Sequence, residues 1–400
     1  MTTPTTLSYR GIDESDYARY IAIIGQAYGN EPAIVRRWLE FERPGELRGV
    51  FADGRLVTQM ELYPLTLLAG RATLAVAGIG SVATPPEERR RGYVAYLLQE
   101  ACAEMRERGM HLALLGAFKD SFYGRYGWAT ISERRNYRGS PEQFDHFRGK
   151  SGQCVSVGPD SIAELDAIYR GALRGRIGPF ARTESWWRNF VLGDAYWQSR
   201  NQAFVWRDET GQARSYVIYR IKQDGEQRVL RCREIVALDP QARQQILGFL
   251  SNFDSQVQQI SFSAPTDAPV NLLFPNPLEC TVEPWFLARV IDVAALLSAY
   301  PYPKECRGRL TLAITDSWLA YNQGVFALEV ADGVGSCTKL ADDQTAGLHC
   351  DIRVLGQLIS RHVRPRVAAA FGLLNAPDRT TLAFADELFA GLAPFLSDDF

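Results

Sequence analysis

Apolar Tyr17, Tyr20, Ile21, Ile24 and Ala27 recur at the spacing of one helical face, which predicts a helix through DYARYIAIIGQAYG. Asp13 to Ser15 offer caps before it, and Gly29 offers a stop. The period then changes: ELRGVF and RLVTQMELYPL, joined by Ala52-Asp53-Gly54, predict a β-hairpin. A second turn near Ala69-Gly70 leads into ATLAVAGIGSVATP, whose small and β-branched residues, closed by prolines, predict a central strand. Val94, Leu97, Leu98, Ala101 and Met105 follow at i, i+3, i+4, i+7 and i+11. They mark an amphipathic helix ending near Gly109, and HLALLGAF reads as the next strand.

Between the central strand and that helix lies Val82-Ala83-Thr84-Pro85-Pro86-Glu87-Glu88-Arg89-Arg90-Arg91-Gly92-Tyr93. A strand feeding a helix through a tight turn aims several backbone N–H groups at one point, on the positive end of the helix dipole. Glycine admits a phosphate close to the backbone, and arginines add charge and forked donors. Three cations at a helix N-terminus are otherwise slightly unfavourable, so an anion among them is the chemical reading. A solvated charge run is the alternative.

Composition narrows the field. At about 100–200 residues per domain, 400 residues make roughly two to four domains. Basic residues number 44 against 46 acidic, a net charge of −2, which argues against nucleic acid as a partner. MTTPTTLSY lacks the charged and apolar regions of a signal peptide, and no apolar run reaches about 18 residues. A cytoplasmic chain without a membrane span is expected. Seven scattered cysteines, never as C-x-x-C, fit reduced thiols, and four separated histidines without H-E-x-x-H predict no metal.

Arg89-Arg90-Arg91-Gly92-Tyr93-Val94 resembles the acetyl-coenzyme A motif of the GNAT superfamily, R/Q-x-x-G-x-G/A, departing from it at Val94. With the preceding V-A-x-x-P and the later Tyr123-Gly124-Arg125-Tyr126-Gly127, it resembles one subgroup, the Eis (enhanced intracellular survival) proteins. These are acetyl-CoA-dependent N-acetyltransferases known for acetylating aminoglycosides at several amines. Arg182 with Trp186-Trp187, Ala288 to Val293 and the closing Phe400 extend the resemblance over nearly the whole chain.

The resemblance implies an α+β chain of tandem GNAT-like domains followed by a sterol-carrier-like α+β domain, set here at 1–152, 153–284 and 285–400. The residues supply a check of their own: Val236 to Ile246 aligns without gaps on Val82 to Gly92, as an internal repeat would. Ile246 then stands in Gly92's place and glutamines replace two arginines, so only the first copy is expected to hold cofactor. Farther on, RVIDVAALLSAY reads as a helix, GRLTLAITDSW and GVFALEVADG as strands, VLGQLISRHV as a helix, and the end as helical again.

For the site, the resemblance implies acetyl-CoA along Val82, Ala83 and Thr84, its pantetheine arm pairing with the strand as a short added strand would. The pyrophosphate falls on Arg90, Arg91, Gly92, Tyr93, Val94 and Ala95, with Phe118 and Lys119 also on the cofactor. An N–H near Val82 would stabilise the developing oxyanion. Tyr123 is the implied proton donor to the leaving thiolate, with Tyr126 as runner-up. The implied proton acceptor is the α-carboxylate of Phe400, by itself a poor base at a pKa of about 3.5. Asp398 and Asp399 beside it would raise that value by like-charge repulsion and attract a polycation, with Asp399 as a substrate-binding residue. Trp38, in IVRRWLEF, suits an acceptor-pocket wall and an ordinary amphipathic helix equally. Trp186, Trp187, Tyr196 and Trp197 read as packing aromatics.

The expected activity is therefore N-acetylation of a small cationic amine, an aminoglycoside among the candidates. A protein-lysine or polyamine acetyltransferase uses the same site. A lipid-carrying or interaction protein with a vestigial acetyltransferase domain is the reading from a different class. Intact Arg89, Arg90, Gly92 and Tyr123 oppose it. The family also implies a homo-oligomer, often a hexamer.

Overall fold

The computed structural model describes residues 6–40, 46–70, 72–149, 151–193, 201–341 and 344–400. Tyr196 and Trp197 lie outside the described residues. The chain forms two units: 1–131 with 286–391 and 399–400, and 132–285 with 392–398.

In the first unit, Leu7–Gly11 (β1) leads to the helices Tyr17–Tyr28 (α1) and Pro32–Glu40 (α2). Gly29 stops α1 at φ 71°, the left-handed conformation in which glycine carries no Cβ penalty. Glu46–Ala52 (β2) and Arg55–Ala69 (β3) form the expected hairpin, closed by Asp53 at φ 49° and Gly54 at φ 83°, a turn whose twist matches the strands. Ala72–Ala83 (β4), Tyr93–Glu107 (α3), Leu112–Leu115 (β5), Asp120–Gly124 (α4) and Ala129–Thr130 (β6) follow. The strands run β1-β2-β3-β4-β5, then Leu287–Val290, then β6. Buried Leu97, Leu98, Ala101, Cys102 and Met105 of α3 pack in one core with Met60, Leu62, Ala77 and Leu115 of the sheet.

Leu287–Val290 corrects the helical reading that began at Arg289. It is a fully buried strand, antiparallel to both β5 and β6, and the helix is Val293–Ala299, capped by Asp292. A short apolar run buried on both faces does not betray its period. The rest of this unit holds a sheet ordered Val334–Lys339, Gly324–Ala331, Gly308–Thr315, Leu348–Asp351 and Leu374–Asn375, with helices Ile352–Ile359 and Arg379–Leu388. The helical reading of the end holds for Arg379–Leu388, and after Leu388 the chain is not helical.

The second unit carries its own sheet, ordered Glu279–Pro284, Glu133–Gly139, Gln259–Pro265, Gln227–Ala237, Ala213–Asp224, Gln202–Arg207 and Gln153–Val157. Helix Pro240–Leu250 follows Gln227–Ala237 almost directly. Arg182 is fully buried here, giving Nε to Asp398 (3.0 Å) and Nη1 to Glu234 (3.1 Å). Trp186 Nε1 donates to Asp398 (2.9 Å), and the rings of Tyr169 and Trp187 flank the guanidinium at 4.0 and 4.5 Å. Trp186 and Trp187 are thus packing residues that serve the protein's own arginine. Removing Arg182 leaves Glu234 and Asp398, both buried, with only the more distant Arg233 (3.7 Å from Asp398) as a counterion. Arg182→Ala is expected to destabilise this unit by about 3–5 kcal/mol, read as a lowered midpoint in denaturant.

Candidate functional site

The site begins with an irregularity in β4. Across from β3, Gln59 pairs with Ala83 but Glu61 pairs with Gly80, so β4 holds one extra residue between those pairs. This is a β-bulge, and Ser81 within it adopts φ 52°. On its other side β4 pairs in parallel with β5 from Val76 to Gly78, where the ladder ends. Past Gly78 the backbone through Ala83 lies beyond that ladder, and its N–H groups are not engaged by β5. Thr58 Oγ1 donates to the Ala83 carbonyl (3.0 Å) and lies 2.7 Å from the Thr84 hydroxyl, fixing the strand's end.

Residues 84–92 then turn into α3. Arg90 (φ 62°) and Gly92 (φ 83°) flank Arg91 in left-handed conformations, an arrangement that turns successive N–H groups toward one concavity. Gly92 is the helix N-cap, has no side chain to bond the first amides, and has open space where a Cβ would stand. Tyr93 is buried, while Val94 and Ala95 are half-buried. The three arginines divide. Arg89 Nε donates to the Thr84 carbonyl (3.1 Å), and Arg91 pairs with buried Glu88 (3.2 Å). Arg90 is exposed and makes no ion pair among the described residues.

Tyr123 sits on α4 with its ring buried against Phe118 (5.8 Å), Phe122 (5.0 Å) and Trp128 (6.1 Å). Its hydroxyl has no hydrogen-bond partner among the described residues. Burial, then the neighbouring Tyr28, pushes its phenol well above the usual tyrosine range, so it keeps its proton throughout neutral pH. Phe118 and Lys119 are exposed just before it. Tyr28, at the end of α1, donates to the Val82 carbonyl in the bulge (2.9 Å). Enclosure of that hydroxyl, then the charge of Glu61, pushes its pKa up to about 12.

Phe400 completes the group. A Cβ on Gly78 would lie 2.6 Å from the Phe400 ring, and one on Gly80 would lie 3.4 Å from its carboxyl carbon. The last residue therefore lies along a side-chain-free track on β4, with its carboxylate beside the bulge. Tyr28 and Phe400 meet β4 at the bulge, and Tyr123 neighbours Tyr28.

Two expectations fall elsewhere, that for Asp398 and that for the match of Gly92 to Ile246. Asp398 is not an acidic neighbour for Phe400: it is buried in the Arg182 cluster, its charge compensated. Asp399 alone remains exposed. Trp38 is buried on α2, 9% exposed. The ungapped match of Gly92 to Ile246 is also not the structural correspondence. Ile246 lies in mid-helix and fully buried, and the N-cap answering to Gly92 is Asp239. Asp239 accepts from Ala242 N (2.8 Å) and pairs with Arg214 (2.7 Å), so this helix N-terminus already holds an anion.

Sequence reasoning missed Gly78, Gly80, Tyr28, Tyr63 and Glu61. The signal lay in Gly78-Ile79-Gly80, since glycines spaced by two in a strand mark one face approached closely by something else.

Residues 8–131 and 178–290 each match an acetyltransferase (GNAT) domain, and residues 293–397 match a sterol carrier protein domain. The N-acetyltransferase Eis of Mycobacterium tuberculosis is 27% identical over 85% of each chain. An uncharacterized N-acetyltransferase of Streptomyces avermitilis is 24% identical over 97% of each. Among solved structures, a GCN5-related N-acetyltransferase from Anabaena variabilis superposes with a TM-score of 0.86 at 21% identity, covering 99% of this chain and 100% of that one. Eis1 from Mycobacterium abscessus gives 0.78 at 22%, with the same coverage. The chain is a GNAT-type N-acetyltransferase, a class that draws its acyl group from acyl-CoA. Within that class it belongs to the Eis-like N-acetyltransferase family, with two GNAT domains followed by a sterol carrier protein-like domain. No helix among the described residues is long and apolar enough to cross a membrane.

Proposed function

We propose that the protein transfers an acetyl group from acetyl-CoA to an amine of a small polycation, with aminoglycosides as the leading class. The observation that carries this reading is the Phe400 carboxyl group beside the β4 bulge, on a strand whose other edge is open. An alkyl ammonium of pKa about 10 must lose a proton before it can attack, and the Phe400 carboxylate is the acceptor. Tyr123, kept protonated by burial, holds the proton that the departing thiolate takes. Acetyl-CoA, when bound, supplies the activated acyl group.

The residues present fit that donor. Uncapped amides at Tyr93, Val94 and Ala95, the open space at Gly92 and the exposed guanidinium of Arg90 suit the phosphates. Arg91 is held toward Glu88 and contributes charge at longer range. The N–H groups of Val82, Ala83 and Thr84, beyond the β5 ladder, suit the pantetheine arm, and exposed Phe118 and Lys119 beside Tyr123 suit the rest of the cofactor. Asp399 adds negative charge next to the acceptor carboxylate. Only the first GNAT domain binds the donor, because Asp239 occupies the matching helix end in the second. Seven free thiols favour a cytoplasmic setting.

Thiol release measured across aminoglycosides, polyamines and lysine peptides tests the reading. Aminoglycosides and polyamines should turn over at least about tenfold faster per KM than single-lysine peptides. Equal rates for monocations and polycations, or no turnover by a protein that binds acetyl-CoA, would overturn it.

A further inference from the structure

The track that receives Phe400 has a second side. Glu61 pairs with Gly80 and Tyr63 with Gly78 across the β3–β4 ladder, so all four residues address one face of the sheet. The glycines leave that face empty on β4, and Glu61 and Tyr63 wall it on β3. The Tyr63 ring lies 5.5 Å from the Phe400 ring, tilted by 46°, and Phe286 stands 5.2 Å from the same ring. The Tyr63 hydroxyl donates to Glu61 Oε2, and the Tyr20 hydroxyl of α1 donates to Oε1 at 2.7 Å. Glu61 and Tyr20 are 0% exposed and Tyr63 is 1% exposed. A residue at 61 needed only for packing would be apolar, because burying a carboxylate is costly even when hydrogen-bonded. What the carboxylate adds is direction: its two oxygens fix two phenols at defined angles, and one of those rings is the wall against which Phe400 rests.

We infer that Glu61 is a positioning residue for the C-terminal carboxylate, acting through Tyr63, with Tyr20 holding Glu61 from the opposite side. The inference rests on the reading of Phe400 as proton acceptor for its catalytic consequence, though not for its structural content. Glu61 touches neither the donor nor the reacting amine. Its role is to keep Tyr63 from rotating away, since a freed ring would widen the track and let the Phe400 carboxylate leave the bulge. In Glu61→Gln one carboxylate oxygen becomes an N–H donor, so one phenol O–H loses its acceptor while side-chain volume is kept. Tyr63→Phe removes the same link from its other end.

The test uses the full chain and reads placement apart from turnover. Carboxypeptidase A removes aromatic C-terminal residues, so release of Phe400 reports how firmly it is held. Glu61→Gln and Tyr63→Phe should each speed that release about tenfold and lower kcat/KM for the amine about tenfold. Acetyl-CoA affinity by calorimetry should stay within about twofold. The double variant should lose no more than either single, because both break one link. Additive losses, or unchanged release in Glu61→Gln, overturn the inference. If Glu61→Gln does not fold, Tyr20→Phe removes the outer hydrogen bond only and should speed release about threefold. Unchanged release there is equally fatal. Should the trimmed enzyme that lacks Phe400 keep full activity while release still depends on Glu61, Phe400 is not the base, yet Glu61 still positions the chain end.

Discussion

Two residues added after Phe400 should abolish acetyl transfer while leaving acetyl-CoA binding intact. The extension moves the α-carboxylate away from Gly80 and puts a neutral peptide group in its place, and a peptide carbonyl cannot take a proton from an ammonium at neutral pH. General-base catalysis is worth about 10²–10⁴-fold, so kcat should fall by that amount. Calorimetry with acetyl-CoA should give an unchanged Kd, because the amides at the start of α3 and the freed edge of β4 are untouched. A kcat within about threefold of the parent would remove Phe400 from the mechanism. The glycine track makes this result specific. The Gly78 backbone lies directly against the Phe400 ring, and Tyr63 and Phe286 pack on that ring as well.

Gly92→Ile should give the complementary result: a folded protein that no longer binds the donor. A Cβ at this residue meets open space, so packing does not oppose the substitution. The backbone does, because φ 83° suits glycine and costs an L-residue about 1–2 kcal/mol. Relief of that strain turns the first amides of α3 away from their common focus, and the branched side chain stands where phosphate must approach. Kd for acetyl-CoA should rise at least about tenfold, equivalent to about 1.4 kcal/mol, with the far-ultraviolet spectrum preserved. Retained affinity would place the phosphates elsewhere.

Much of this site was legible because its parts are local. A strand, an arginine-rich turn with one glycine and an amphipathic helix lie within about thirty residues, and each announces itself by period or by residue type. The hairpin at Asp53-Gly54 and the stop at Gly29 were readable for the same reason. What the sequence concealed depends on partners distant along the chain. Leu287–Val290 is a strand because β5 and β6 accept it on both sides, which four apolar-rich residues cannot show. Asp398 looked like an acidic tail residue until Arg182, more than two hundred residues earlier, proved to neutralise it. Glu61 looked like one polar residue in a hairpin, and its meaning comes from Tyr20, Tyr63 and Phe400. The repeat was visible, but a gapless alignment hid the fact that the second copy reaches its helix through 238 and 239 alone, where the first uses 84–92.

That shortened connection has a consequence for any attempt to restore symmetry. In the second GNAT domain Asp239 is an internal counterion, covalently attached and always present, so this helix end needs no visitor. Exchanging Asp239 for glycine would discard the counterion without recreating the concavity, since the loop that shapes it is missing. The two domains differ here in loop length and not only in residue type. If only the first domain binds the donor, as proposed, a point mutation such as Gly92→Ile silences it, and giving the second a site would take an inserted loop.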